Sequence, residues 1–103
     1  MEVNYSQEGS RIRVAVDGNI DSDGAGKLSD ILQKIMTIDN VENVEFDLLS
    51  VFSTTSSGIG KLLNFYKYID SHGGSMEISA ISESLYKQFI DIHLDRIFTI
   101  RLK

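Results

Sequence analysis

The sequence predicts an α/β domain: a mixed, largely parallel β-sheet of four to five strands with helices mainly on one face. Three observations lead there. Segments with apolar residues at every second position alternate with segments that carry them at i, i+3, i+4 and i+7. The helical segments are about 10 to 15 residues long, the length of a crossover between parallel strands. The strands alternate apolar with polar residues, whereas burial on both faces would demand nearly continuous apolar runs.

The elements follow in order. Val3 and Tyr5 alternate before Glu8-Gly9 and form a short leading strand, paired as an antiparallel hairpin with Arg11 to Asp17. In that second segment Ile12, Val14 and Val16 share one face. Leu28, Ile31, Leu32, Ile35 and Met36 then have amphipathic-helix spacing, with Ser22 or Asp23 supplying the cap and an acidic first turn. After Asp39-Asn40, Val44, Phe46 and Leu48 return to period two. The polar run Ser53-Thr54-Thr55-Ser56-Ser57-Gly58 leads into Ile59, Leu62, Leu63, Tyr66 and Ile69 at helical spacing, and His72-Gly73-Gly74 stops that helix. Met76, Ile78 and Ala80 read as the next inner strand. Ser82-Glu83-Ser84 caps a helix carrying Leu85, Phe89 and Ile92, and Ile97 to Leu102 reads as a closing strand. Arg11, Arg13, Glu77 and Ser79 face water in this arrangement.

Composition narrows the function. The 103 residues carry 10 Lys+Arg against 15 Asp+Glu, a net charge of −5, with 42 % apolar and 24 % charged residues. That is the balance of one globular domain spanning residues 1–103, not of a disordered tail. No cysteine excludes disulfides, thiolate zinc and cysteine nucleophiles. No proline, where about five are average, leaves the turns to Gly, Asn, Asp and Ser. The start lacks a signal-peptide pattern and no run approaches about 18 apolar residues, so a cytoplasmic protein is expected. Ten scattered cations argue against nucleic acid or an anionic membrane as partner.

Catalytic and metal motifs are incomplete. Asn19-x-Asp21-x-Asp23-Gly24, with Asp30 at position twelve, has calcium-loop spacing, but it lacks the leading Asp and the bidentate Glu, and a strand precedes it. Gly24-x-Gly26 and Gly58-x-Gly60-Lys61 fall short of dinucleotide and phosphate loops. His72 and His93 sit at the far ends of their elements, away from Ser56, which argues against a hydrolytic triad; they read as surface or cap residues. The chain is therefore expected to be no enzyme and to need no cofactor or metal. The run Ser53 to Gly58 has two readings. Any of Thr54, Thr55 or Ser56 can cap the following helix. Alternatively, Ser56 is a phosphorylation site, where a phosphate would add about −1.5 to −2 charges at a helix N-terminus.

At this point the residues resemble a family, the STAS domain, in particular the stand-alone bacterial anti-sigma factor antagonists. Gly18-Asn19-Ile20-Asp21 looks like the family's first turn, and Asp47-Leu48 like the end of its strand. Eight residues after Asp47, Thr55-Ser56-Ser57-Gly58-Ile59-Gly60 looks like its Asp-Ser-Ser-Gly-Leu-Gly signature. Gly73-Gly74 and Leu94-Asp95-Arg96-Ile97-Phe98 follow in order. The resemblance implies a non-enzymatic module that binds an anti-sigma factor serine kinase. It also implies phosphorylation at Ser56, or less favourably at Ser57 or Thr55, and resetting by a PP2C-type phosphatase. The implied contact residues are Asp21, Thr55, Ser56, Ser57, Gly58, Ile59 and Gly60. Thr55 stands where the family has Asp, which leaves a second expectation: a STAS-like scaffold or sensor that binds partners without phosphorylation. The chain stops at Lys103, where family members continue into a final helix. The final helix is thus expected to be absent, with apolar surface exposed and a homodimer as the consequence.

Overall fold

A computed structural model describes residues 1–102; Lys103, on which the expectation of a missing final helix turns, lies outside the described residues. The chain forms β1 (Glu2–Glu8), β2 (Arg11–Asp17), α1 (Ser22–Met36), β3 (Asn43–Ser50), α2 (Ser56–Ser71), β4 (Ser75–Ile81), α3 (Glu83–Asp91), a 3₁₀ turn (Leu94–Arg96) and β5 (Thr99–Ile100). The strands lie side by side in chain order. β1 runs antiparallel to β2, and β2 to β5 are parallel, as the alternation of strand and helix predicts.

Period two decides which face is covered. Ile12, Val14 and Val16 of β2, Val44, Phe46 and Leu48 of β3, and Met76, Ile78 and Ala80 of β4 are buried on the same side. They meet Leu28, Leu32 and Ile35 of α1, Leu62, Phe65 and Ile69 of α2, and Leu85 and Phe89 of α3 in one core. At its centre the rings of Phe46 and Phe65 meet edge to face, 5.8 Å apart at 78°. The outer face stays polar. Arg13 pairs with Asp47 at 2.9 Å, and Arg101 with Glu77 at 3.2 Å, both half in water and worth little to stability.

Three local expectations need correction. The cap of α1 is Asp21, whose Oδ1 accepts from the Gly24 N–H at 2.7 Å; Ser22 is the first helical residue and Asp23 the first-turn acid. The helix therefore starts one residue after the carboxylate that satisfies its free amide. The closing strand is only Thr99–Ile100, because the 3₁₀ turn uses Leu94 as an anchor and places Phe98 in the core, leaving Ile97 outside. Ile92 ends α3 in solvent and does not join Leu85 and Phe89 inside. At the other helix ends, Ser82 caps α3 by accepting from the Leu85 N–H at 3.2 Å. His72 closes α2 and stacks on Tyr68, while His93 takes a left-handed conformation after α3.

Candidate functional site

Of the three candidate caps, Thr55 is the one used. It is extended, with φ −76° and ψ 164°, and its Oγ1 accepts from the Gly58 N–H at 3.3 Å. Thr54 is buried and its hydroxyl donates to the Thr55 carbonyl at 3.1 Å. Ser56 is therefore the first residue inside α2. It is exposed, as is Ser57, and among the described residues neither hydroxyl makes a hydrogen bond to the protein. α1 carries Asp23 in its first turn and α3 carries Glu83, but α2 has no acid of its own there to offset its dipole.

The two loops named by the sequence meet at this point. Ile20 and Thr54 form an isolated parallel bridge, with the Ile20 N–H on the Ser53 carbonyl at 3.1 Å and the Thr55 N–H on the Ile20 carbonyl at 2.9 Å. This bridge sets the starts of α1 and α2 side by side, bringing Asp21, Thr55, Ser56 and Ser57 onto one end of the sheet. Ile59 and Gly60 are half-buried on the next turn. Gly58 differs from the others in being buried. It spaces α2 against Ile20 and Thr54 and offers no side chain to a partner.

Four residues hold this loop: Asn19, Ser82 and Ser84, which the sequence marked for other roles, and Gln88, which it did not mark. Asn19 Oδ1 accepts from the Phe52 and Ser53 amides at 3.0 and 3.2 Å. Gln88 of α3 grips Thr54 at both ends of its peptide, accepting from its N–H at 3.2 Å and donating to its carbonyl at 2.7 Å. Ser82 donates to the Val51 carbonyl and Ser84 to the Phe52 carbonyl at 2.9 Å. The calcium-like spacing thus has a structural use: Asn19 braces one loop and Asp21 caps one helix. Asn19→Ala is expected to cost about 1 to 2 kcal/mol, the worth of two hydrogen bonds. Chemical denaturation should read that loss, together with faster amide exchange at Phe52 and Ser53; unchanged exchange would refute the brace.

Chemically the site offers a hydroxyl, backbone amides and a helix dipole. Ser56 and His72 stand at opposite ends of the 16-residue α2, about 24 Å apart along its axis, so that imidazole cannot act as its base. Among the described residues no cluster of three or more His, Cys, Asp or Glu is placed to hold a metal, and no helix is long and apolar enough to cross a membrane. What the arrangement can do is present an exposed hydroxyl at a helix N-terminus, where a single modification would add negative charge.

Comparison with known proteins bears on the fold. The fold superposes on the anti-sigma factor antagonist SpoIIAA in its unphosphorylated form with a TM-score of 0.82 at 13% identity, covering 97% of this chain and 88% of that one. An anti-sigma factor antagonist from Mycobacterium paratuberculosis gives 0.83 at 20% identity, over 96% and 83% of the two chains. The Bacillus cell fate determinant SpoIIAA in its phosphorylated form gives 0.75 at 13% identity, over 97% and 91%. At these identities the likeness is one of fold. The model of the STAS domain family matches residues 3–103 of the sequence, and the chain belongs to that family.

Proposed function

We propose that the protein is a cytoplasmic regulatory binding module and no enzyme: an anti-sigma factor antagonist that docks an anti-sigma factor serine kinase through Asp21 and residues 55–60, and is released when Ser56 is phosphorylated. One observation carries the reading. The Ser56 hydroxyl is exposed and unbonded at the first position of a helix with no acid in its first turn, on a loop pinned from both sides. Phosphate is well received there, and a partner docked on the same surface meets about two added negative charges. Thr55 already spends its hydroxyl on the Gly58 amide, which makes it a poorer acceptor of phosphate than Ser56.

The test is direct. Protein incubated with ATP and each purified anti-sigma serine kinase of its source genome should gain one phosphate by intact mass, mapped to Ser56 and absent in Ser56→Ala. A PP2C-type phosphatase should then remove it. Binding without any phosphate transfer would instead establish the scaffold reading, which Thr55 favours by standing where the family has an acid. Ile90, Ile92, Ile97 and Leu102 are exposed apolar side chains toward the C-terminal end and support self-association. A dimer mass by light scattering at high concentration is the expected result, and a monomer mass overturns it.

A further inference from the structure

Phe52 is the most exposed aromatic of the chain among the described residues, at 61%. An exposed phenylalanine on a loose loop would be unremarkable in energy, since any partner would have to order it. This one is already ordered at its backbone. Its N–H donates to Asn19 Oδ1 at 3.0 Å and its carbonyl accepts from Ser84 Oγ at 2.9 Å, so that two separate elements, the β2–α1 loop and α3, fix the peptide on either side of the ring. The next two residues are held in the same way, Ser53 by Asn19 and Thr54 by Gln88. Two residues further on is Ser56. The ring and the hydroxyl thus stand on one continuous, immobilised stretch of backbone.

Just after β3 the chain turns Val51 inward and Phe52 outward, and Leu49, near the strand's end, is itself 53% exposed. On its α3 side the ring borders a shallow groove lined by Ser82, Glu83, Ser84 and Lys87, where Glu83 and Lys87 pair at 3.5 Å. A large apolar side chain on a fixed backbone, rimmed by polar groups and adjoining the polar patch proposed to dock the partner, has the make-up of a binding hot spot. Aromatic anchors of this kind lose little entropy on binding and carry much of an interface's affinity.

We propose that Phe52 is the apolar anchor by which this protein holds its partner, filling an apolar pocket on the same protein that covers Ser56. The inference rests on the docking surface proposed above and adds to it the source of its affinity. The hydroxyl side of the surface decides when the partner leaves. The phenyl side decides how tightly it is held, and which partner, since only a protein with a pocket beside its Ser56-facing surface gains from the ring.

The experiment is a comparative affinity measurement with each purified anti-sigma serine kinase of the source genome as probe, using wild type, Phe52→Ala and Ser56→Asp, with thermal unfolding of each variant. Because the ring is exposed, Phe52→Ala should unfold like wild type while its affinity falls about 10- to 100-fold. Phe52→Leu should recover part of that loss. If Ser56→Asp weakens binding and Phe52→Ala does not, the anchor is overturned while the docking reading stands. If Phe52→Ala weakens binding and Ser56→Asp does not, the anchor stands and the phosphoswitch falls. No binding by wild type to any of these kinases overturns both.

Discussion

Gly58→Ala is expected to destabilise the fold by about 3 kcal/mol, the upper end of what overpacking costs. A Cβ at this position would come within 2.7 Å of Ile20 Cγ2 and closer still to Thr54 Oγ1. Neither neighbour can withdraw. Ile20 is 2% exposed with both its N–H and carbonyl bonded into the bridge to residues 53–55, and Thr54 is gripped by Gln88. For a domain of this size the loss corresponds to a fall of roughly 12 to 24 °C in Tm. Gly60→Ala is the control, because nothing lies within 4 Å of its added Cβ. There the better helix propensity of alanine should leave stability equal or raised by up to about 1 kcal/mol. Equal Tm values for the two variants would contradict the close packing of α2 on the Ile20–Thr54 bridge.

Ser56→Asp should separate stability from function. An acid in the first turn of α2, which has none of its own, favours the dipole, and a gain of about 0.3 to 1 kcal/mol in stability is expected. Kinase affinity should move the other way. A charge placed in a docked interface without a partner costs about 2 to 5 kcal/mol, which is roughly a 30- to several-thousand-fold loss at about 1.4 kcal/mol per tenfold. Ser56→Ala should bind like wild type. Calorimetric titration with the purified kinase, beside thermal unfolding, reads both effects; a variant that is weaker in both would point to simple misfolding.

Much of the fold was legible because it depends on local periodicity. Ile12, Val14 and Val16 could share a face only as a strand, and Leu28, Leu32 and Ile35 only as a helix, so the one-sided sheet followed. The boundaries were less legible where a cap or a turn competes with pattern. Asp21, not Ser22 or Asp23, took the α1 cap because its carboxylate reaches the Gly24 amide from an extended residue. Ile97 to Leu102 alternates like a strand, yet the turn at Leu94–Arg96 consumed its beginning and left only Thr99–Ile100 to pair with Glu77 and Ile78. In the site, Ser56 was visible through its hydroxyl-rich run. The braces were not: Asn19 reaches Phe52 across 33 residues and Gln88 reaches Thr54 across 34, and no local pattern marks such pairs. Phe52 also gave no signal, because an apolar residue after a strand reads as core until its exposure is known.

In the proposed function, one hydroxyl, that of Ser56, governs partner binding. The most direct measurement titrates the anti-sigma serine kinase with two preparations of this protein, one unmodified and one phosphorylated on Ser56 alone. Tight binding by the unmodified protein and a loss of at least about 30-fold on phosphorylation is the predicted result. Equal affinities for the two preparations would contradict it.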